Sequence, residues 1–420
     1  MRLLIIYIVL FVFAYILQRQ LCKGPNKTAA TQTVTFGDEK SIKPNRLASA
    51  LSIATLFLLW AAFTGSTLTP IHVPGPFIGN TSFNYTATNA DMEKATATVF
   101  INVSKPGEQV DKPQTSDTKA SGFAHDDGAS VQAWRSTLIR AHKNDLGGKD
   151  KTYKIIAINN QPIEAEQSVI VEHGVVTMTS KGSLSFTPDK GWQMEPIWLP
   201  SPEAVFHRLI EIATDGYQNV GLFENIGWSL LRVIAGLLLG CLIGIPLGYA
   251  MGLSSWFRGW FDPIVEFMRP VPPLALIPLI IIWFGIWETG KISLLFLAAL
   301  WIMTIAARSG VSGTSLSKVH AAYSLGASKF QVLVHVIIPN SLAEIFTGAR
   351  VAMGVCWGTV VAAELVAAEK GAGKMIIAAS KFQQTDIVIM GIILIGIIGY
   401  GIDLLMRRAE RWLIPWKGRV

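Results

Sequence analysis

Charged residues and cysteines are scarce in this chain of 420 residues. Asp, Glu, Lys and Arg together make up only 15% of it, and half of the residues are apolar, whereas soluble domains are typically about one-quarter charged. This composition excludes an intrinsically disordered chain and argues against a soluble enzyme. The three cysteines are far apart in the sequence, and so neither a disulfide framework nor a zinc site is predicted.

The charge balance is basic, with a formal net charge of +7. A basic balance can indicate nucleic-acid binding, but beside long apolar runs it is more typical of cationic loops on the cytoplasmic side of a membrane. We therefore expect the chain to contact membrane lipid and not nucleic acid.

Long apolar runs predict several membrane helices. Residues 3–17 predict either an uncleaved membrane anchor or a signal peptide, and the residues that follow favour the anchor because they contain no small-x-small cleavage site. A second span is predicted at 48–66. Five further spans are predicted at 229–252, 272–286, 292–307, 351–367 and 387–405.

The Lys and Arg residues predict the orientation of these spans, because short cytoplasmic loops are rich in them. Outside the large polar segment 67–195, most of the Lys and Arg residues lie in 18–46, 253–271, 308–350 and 406–420. If these four segments face the cytoplasm, the polar segment is extracytoplasmic.

The sequence therefore predicts four parts. Residues 1–46 form an N-terminal membrane anchor with a cytoplasmic linker, and residues 47–66 form the first core transmembrane helix. Residues 67–195 form an extracytoplasmic insert, and residues 196–420 form a second membrane domain with cytoplasmic helices at about 315–340.

The insert alternates apolar and polar residues at 95–103, 153–158 and 169–179, which predicts the short strands of a β-sandwich-like module. Its stretch from His173 to Pro188 resembles one repeat of the adhesin-type β-sandwich modules of bacterial surface proteins. The pair Asp126-Asp127 is a candidate calcium ligand, but an Asp-Asp-Gly sequence is more typical of a turn.

One predicted span has a glycine at every fourth position: Gly236, Gly240, Gly244 and Gly248. This spacing places the glycines along one stripe of a helix, where a second helix can approach closely. We expect tight helix packing, within one chain or across a dimer, rather than a flexible lining of a pathway.

Charged residues at membrane depth are candidates for a translocation pathway, because they are costly there. Glu364 lies in an apolar run. We expect it either to contact a transported solute or to pair with a cation such as Lys370 or Arg232.

The span at 272–286 is short and begins with Pro272 and Pro273. Membrane helices tolerate such prolines where other helices or a cavity surround them. Glu266 and Arg269 lie just before this span and are candidates for structural pairing or for a gate contact. The seven histidines lack metal-ligand spacing, and so no metal site is predicted.

Residues 308–350 predict a long cytoplasmic segment with one or two helices. Apolar residues recur every three or four positions from Val319 to Ile337, through Gly326 and Phe330, which predicts one apolar face. Small side chains in the middle of this face favour the docking of another protein. A helix on a membrane surface would carry bulky apolar residues instead.

The segment from His320 to Ser328, followed by Val336–Pro339, resembles the EAA loop of the permeases of ABC importers, with His320 in place of the usual glutamate. The residues that this resemblance assigns to ATPase coupling are His320, Ala321, Ala322, Gly326, Ala327, Ser328 and Pro339. Other segments resemble the nitrate/sulfonate/taurine/bicarbonate class of these permeases, and taurine permeases in particular: Arg269–Ala275, Trp283–Ile286, Val361–Leu365 and Pro415–Gly418. The resemblance covers about residues 197–420 and, more weakly, 48–66.

The resemblance implies an all-α polytopic membrane protein with the type I ABC-importer permease fold, in the bacterial cytoplasmic (inner) membrane. The extracytoplasmic β-sandwich-like insert at 67–195 lies outside the resemblance. Two copies of the chain would form the pathway, two copies of a separate ABC ATPase would dock on the cytoplasmic helices, and an extracytoplasmic binding protein would deliver the solute. The implied solute is taurine or a related sulfonate, with nitrate, bicarbonate or another small solute as alternatives. We expect the β module to contact or modulate the binding protein.

The chain itself is not expected to be an enzyme or to carry a cofactor. Gly285–Lys291 fits the first seven positions of a phosphate-binding loop, but Ile292 stands where the loop needs a Ser or Thr to bind Mg²⁺. ATP and Mg²⁺ are therefore expected on the partner ATPase.

Two functions from other classes remain as alternatives. The β-rich insert, with glycosylation-like sequons at Asn80, Asn84 and Asn102, is also typical of a membrane-anchored surface receptor or adhesin. A receptor does not explain the long cytoplasmic segment or the proline-rich span. A secondary transporter is the other alternative, and it would need no ATPase.

Overall fold

The structure is a computed structural model that describes residues 2–21, 46–89, 91–108, 122–148 and 152–416. The chain divides into two compact units, Met1–Glu203 and Ala204–Val420. The first unit contains helices α1 (Arg2–Leu21) and α2 (Arg46–Phe63) and a β module. Most of the predicted linker within residues 18–46 lies outside the described residues.

Both helices of the first unit are apolar but short. Their apolar stretches are Ile8–Leu17 and Leu47–Phe63, whereas a helix needs about 20 apolar residues to cross the hydrocarbon core. Helix α2 ends three residues before the predicted end of the span, because the chain turns at Gly65, which has φ +63°.

The β module is a sandwich of a five-stranded sheet, with strand order β3-β2-β1-β5-β6, and a four-stranded sheet, with order β4-β9-β8-β7. The strands are β1 (Gly79–Thr88), β2 (Lys94–Ser104), β3 (Asp127–Gln132), β4 (Thr137–Ile139), β5 (Lys154–Ile158), β6 (Gln161–Pro162), β7 (Ser168–Val171), β8 (Gly174–Met178) and β9 (Leu184–Pro188). Strands β2 and β3 pair in parallel, and the other described pairs are antiparallel.

The alternating residues of the insert form the core of this sandwich. Ala95, Ala97, Val99 and Ile101 of β2 all point into the core, at every second position, as the sequence predicts for a strand with one buried face. The run at 169–179 is two strands rather than one. Strands β7 and β8 are separated by a tight turn in which His173 adopts φ +63°.

The second unit is helical. Its helices are α3 (Pro202–Asp215, which begins at the boundary), α4 (Leu222–Leu253), α5 (Ser255–Met268), α6 (Ile277–Phe284), α7 (Glu288–Ser312), α8 (Leu316–Ser324), α9 (Lys329–Val332), α10 (Ile338–Ala367), α11 (Ala372–Lys381) and α12 (Thr385–Leu413). A 3₁₀ turn at Pro273–Leu276 precedes α6, and a π-helical turn at Leu333–Ile337 joins α9 to α10.

Four helical segments of the described residues are long and apolar enough to cross a membrane: α4, α7, α12 and the continuous helix Lys329–Val366. Helix α5 and the segment Pro273–Phe284 meet at an angle of 93° and form a broken span or a re-entrant loop. The fold class expected from the sequence, a helical polytopic membrane protein with a β-rich region, is confirmed.

The predicted 43-residue loop at 308–350 is wrong in its bounds. Helix α7 continues to Ser312, and the next long helix begins at Lys329. The two helices pack against each other beyond the apolar runs, because Gly310 lies against Ser341 and Gly348 against Ala306 too closely to leave room for a Cβ atom. The segment between the helices is therefore Gly313–Ser328.

Candidate functional site

The glycine stripe of α4 packs against α7 of the same chain. A Cβ atom placed on Gly236, Gly240, Gly244 or Gly248 would lie less than 3.0 Å from an atom of α7. Real Cβ atoms do not approach that closely, so glycine is what allows the two helix backbones to meet. The structure therefore resolves the choice left open by the sequence in favour of packing within one chain.

A buried charge network joins one end of α4 to α7 and α10. Arg232 of α4 is only 1% exposed, and its Nη1 donates to Glu364 Oε1 of α10 at 2.6 Å. Arg232 Nε and Nη2 donate to the two carboxylate oxygens of Glu288, at the start of α7, at 2.6 and 2.8 Å. Lys291 Nζ donates to Glu288 Oε1 at 2.8 Å. The network contains two cations and two carboxylates and is neutral.

Both carboxylate oxygens of Glu364 accept hydrogen bonds, and the residue is fully buried. Oε1 also accepts from Ser229 Oγ of α4 at 2.8 Å, and Oε2 accepts from the backbone N–H of Gly373 at 2.9 Å. These bonds hold the first turn of α11 against α4 and α10. Of the two cations considered from the sequence, Arg232 is the partner of Glu364, whereas Lys370 pairs with Glu224 at 2.6 Å.

The proline-rich bend carries a second charge cluster. Arg308, near the end of α7, is paired with Asp262 and Glu266 of α5, the latter at 3.1 Å between Nη2 and Oε1. Arg269 Nη1 lies 3.7 Å from Glu266 Oε2. Pro272 and Pro273 follow directly, where the chain turns from α5 into the 3₁₀ turn. The structure thus brings Glu266 and Arg269 together and adds Arg308, which sequence analysis missed because it lies 42 positions away.

Glu288 was also missed, as a member of the charge network around Arg232. It lies inside the sequence that imitates a phosphate-binding loop, and its pairing with Lys291 three positions later was a local signal for a charge pair at a helix start. Among the described residues, no group of three or more His, Cys, Asp or Glu side chains is arranged to hold a metal ion.

The segment that resembles an EAA loop is built from α8, a turn and α9. Gly326 adopts φ +80°, and its N–H donates to Tyr323 O at 2.9 Å, which ends α8. Of the one or two helices expected from the sequence, the structure has two, because a left-handed glycine breaks the helix at Gly326. Ser328 then caps α9 in a capping box with Gln331.

This segment exposes large apolar side chains beside small ones. Leu316 is 71% exposed, Leu325 89% and Phe330 72%. His320 and Ala321 are exposed, whereas Ala322 and Ala327 are half-buried and Pro339 lies in the first turn of α10. We call residues 316–330 the coupling segment. Exposed leucine and phenylalanine side chains of this kind mark a surface for contact with a protein partner or with a membrane.

The β module has its own buried acidic cluster. Asp145 accepts hydrogen bonds from Tyr85 Oη at 2.9 Å, from Tyr153 Oη at 2.5 Å and from the N–H of His125 at 2.7 Å. Burial, and the nearby charge of Asp145, raise the pKa of Asp127 to about 6. Asp126 accepts from the N–H of Thr98 at 2.8 Å, beside the start of β3.

The four long apolar helices and the broken span of the described residues define the class of protein: a polytopic membrane protein. Residues 233–415 match the family described as binding-protein-dependent transport system inner membrane component. The chain belongs to this family, and it is a permease component of the ABC importers of the taurine, sulfonate and bicarbonate class.

Three relatives illustrate the class. The taurine transport system permease protein TauC of Escherichia coli is 46% identical over 54% of this chain and 83% of its own length. The putative aliphatic sulfonates transport permease protein SsuC of Escherichia coli is 37% identical over 54% of this chain and 84% of its own. The bicarbonate transport system permease protein CmpB of Synechococcus elongatus is 30% identical over 51% and 81%. These findings give no support to the receptor or adhesin alternative.

Solved structures of ABC transporters are also similar. The inward-facing MetNI methionine ABC transporter has a TM-score of 0.42 and 17% identity, covering 46% of this chain and 95% of that chain. An amino acid ABC transporter with histidines has a TM-score of 0.39 and 19% identity, covering 47% and 93%.

Proposed function

We propose that this chain is the permease subunit of an ATP-driven importer of taurine or a related sulfonate, and that two copies form the pathway. The observation that carries the choice of solute is the gradient of identity, from 46% with a taurine permease to 37% with a sulfonate permease and 30% with a bicarbonate permease. Nitrate, bicarbonate or another small solute is the alternative within the same class.

The coupling segment is proposed as the docking surface of the ATPase, which would be present in two copies and would hold ATP and Mg²⁺. Its proposed residues are His320, Ala321, Ala322, Gly326, Ala327 and Ser328, together with Pro339 beyond the end of the segment. Support comes from exposed Leu316, Leu325 and Phe330, which place apolar area around these small side chains. Burial of such side chains under a partner is favourable by roughly 1.5–3 kcal/mol each.

The β module is proposed to be extracytoplasmic and to receive the solute-loaded binding protein. Support for a mechanical role comes from its attachment to α2. Val73 N donates to Ala62 O, Met194 N donates to Phe63 O at 2.8 Å, and Trp192 N donates to Pro74 O at 2.7 Å. The segments that enter and leave the β module are both hydrogen-bonded to the end of α2. A force on the module would therefore be transmitted to that helix rather than absorbed by a flexible linker.

Glu266, Arg269, Pro272 and Pro273 are proposed to form a gate contact at the bend, with Arg308 as an added partner. Arg308 bridges α7 to α5, so a movement of the coupling segment at the end of α7 would reach the bend directly. For Glu364 we propose a structural role, because its two oxygens already accept from three hydrogen-bond donors within one unit and the residue has no exposed surface.

Reconstituted transport tests the proposal. The chain is purified from native membranes with the subunits that accompany it, identified by mass spectrometry, and placed in proteoliposomes with the binding protein. ATP-dependent uptake of radiolabelled taurine, blocked by excess ethanesulfonate, is expected. Uptake driven by an ion gradient without any ATPase would instead support a secondary transporter. Uptake of nitrate or bicarbonate alone would show that the importer belongs to the same class but carries one of the alternative solutes.

Removal of the β module tests its proposed role. Gly75 and Gly191 are in direct contact, so residues 76–190 can be replaced by a short Gly-Ser linker without moving the end of α2. We expect normal assembly, unchanged basal ATP hydrolysis and a higher concentration of loaded binding protein for half-maximal uptake. Unchanged dependence on the binding protein would contradict the proposed contact.

A further inference from the structure

Helix α5 is amphipathic and exposes its apolar side. The large apolar side chains of this face are between 39% and 73% exposed: Trp256, Phe257, Trp260, Ile264 and Phe267. Their spacing of three and four residues places most of them on one side of the helix. The rings of Trp256 and Trp260 are stacked, with centroids 5.8 Å apart and an interplanar angle of 14°.

The charged side of α5 is turned toward the protein. Asp262 and Glu266 are both paired with Arg308 of α7, and Val265 on the same side is fully buried. A helix on a water-exposed surface does the opposite and packs its apolar stripe on the core. The outward aromatic face of α5 is therefore built for a surrounding medium that is apolar at this depth.

The length and direction of α5 indicate at which depth of the membrane its aromatic face lies. Its 14 residues span about 21 Å, less than the roughly 30 Å hydrocarbon core. The segment Pro273–Phe284 leaves at 93° to it. When that segment enters the membrane, α5 is left running along the surface. Tryptophan is enriched at the membrane–water interface, and bulky aromatic residues are typical of helices that lie in it.

One exposed arginine completes the pattern. Arg258 lies on the side of α5 opposite the aromatic face, is 60% exposed, and its Nε is 3.9 Å from Asp262 Oδ2 on the same helix. A long basic side chain on the polar side of a helix that lies in the membrane–water interface reaches lipid phosphates. Arg308 lies five positions before Gly313, so α5 is on the side of the membrane where the coupling segment begins.

We propose that α5 is an interfacial helix that binds phospholipid on the side of the coupling segment, with its aromatic face among the acyl chains and with Arg258 at the phosphate groups. Through Arg308, the lipid surface then fixes the depth of the α7 end that carries the coupling segment.

Spin labelling of the full chain in phospholipid nanodiscs tests this placement. In a background with Cys22, Cys241 and Cys356 replaced, single labels are introduced by Trp256→Cys, Trp260→Cys and Phe267→Cys. Ser255→Cys and Gly259→Cys are the controls, because both positions are exposed but lie toward the charged side. We expect the ratio of oxygen to nickel-chelate accessibility to be several-fold higher at the three aromatic positions. High nickel accessibility there, or low accessibility to both reagents because a second copy or another subunit covers the face, overturns the proposal.

Tryptophan fluorescence provides a second measurement that does not depend on labels. The emission lost in the Trp256→Phe/Trp260→Phe variant, which keeps aromatic bulk, is the emission of these two rings. We expect brominated phospholipid to quench this component strongly and aqueous iodide to quench it weakly. Strong quenching by iodide and weak quenching by brominated lipid would place the rings in water and overturn the proposal.

Discussion

The buried network around Arg232 makes the Glu364→Gln variant an informative perturbation. Glutamine has nearly the same shape but offers one acceptor oxygen in place of two, and it removes a charge. Glu364 accepts from Arg232 and Ser229 on one oxygen and from the Gly373 N–H on the other. In either orientation of the glutamine amide, its NH₂ group faces a donor, so at least one buried hydrogen bond is lost.

The size of the effect follows from burial. Removing one partner of a buried ion pair typically costs about 3–5 kcal/mol. Glu288 still neutralises Arg232 with two hydrogen bonds, so we expect the lower end, about 3 kcal/mol. For a unit of this size, about 3 kcal/mol corresponds to a fall of roughly 6–12 °C in the apparent melting temperature.

The assay is thermal unfolding of the purified full chain in nanodiscs, with Glu224→Gln as the matched control. The Glu224–Lys370 pair has the same 2.6 Å separation, but its side chains are 44% and 42% exposed, and such surface pairs contribute only about 0–1 kcal/mol. A Glu364→Gln protein that melts like wild type but no longer transports would refute the structural role and assign Glu364 to the solute.

Three further predictions test other parts of the structure. In thermal unfolding, Gly240→Ala should destabilise the chain by roughly 1–3 kcal/mol, because its new methyl group would lie 2.5 Å from Ala299 Cβ. The control Gly227→Ala, in the open part of the same helix, should be neutral or stabilising by up to about 1 kcal/mol. Because the pKa of Asp127 is raised, the folded β module binds more protons than the unfolded one between about pH 4 and pH 6. The free energy of unfolding of the module should therefore fall by about 2 kcal/mol as the pH rises through that range. Asp127→Asn should remove this pH dependence, measured by hydrogen exchange of β2 and β3. Gly326→Trp should abolish ATPase association and uptake without loss of membrane insertion. Gly326→Asn should retain most of the ATPase association and uptake, because asparagine tolerates the φ of +80°. Wild-type association and uptake in the Trp variant would disprove docking at this turn.

The membrane helices were predictable because apolar runs of membrane length have few alternative structures. Their ends were not, as the bounds of α7 and α10 show. Ser309, Gly310 and Ser341 are not apolar, but small side chains let these helices continue and pack together beyond the hydrophobic core. Hydropathy measures solubility in lipid, whereas small-residue packing depends on which helix lies opposite.

The sequence predicted that Glu364 could pair with a cation, but it did not identify which one. An isolated Glu364 in an apolar run must be neutralised, and the sequence offered Lys370, six positions away, and Arg232, 132 positions away. Proximity in the chain alone would have selected Lys370. The pair forms with Arg232 because the glycine stripe brings α4 against α7, and α10 packs in the same core, as contacts of Val233, Leu295 and Val360 show.

The coupling segment illustrates the opposite case. Its residues resemble an EAA loop by their order, but the sequence left open whether they form one helix or two, and the structure divides them at Gly326, where the backbone is left-handed. Periodicity cannot distinguish a glycine that belongs to a helical face from one that ends the helix. As a result, Leu325, the most exposed large apolar residue of the segment, lay outside the predicted face.

Site-specific photo-crosslinking at position 325 in native membranes tests the central claim most directly. A benzoylphenylalanine placed at Leu325, which is 89% exposed, should form an adduct with an ABC ATPase subunit, while the same probe at Leu242, 70% exposed in the middle of α4, should not. An ATPase adduct at 325 alone is the result that the docking account predicts. Adducts with lipid only at 325, or an ATPase adduct at 242, would contradict it.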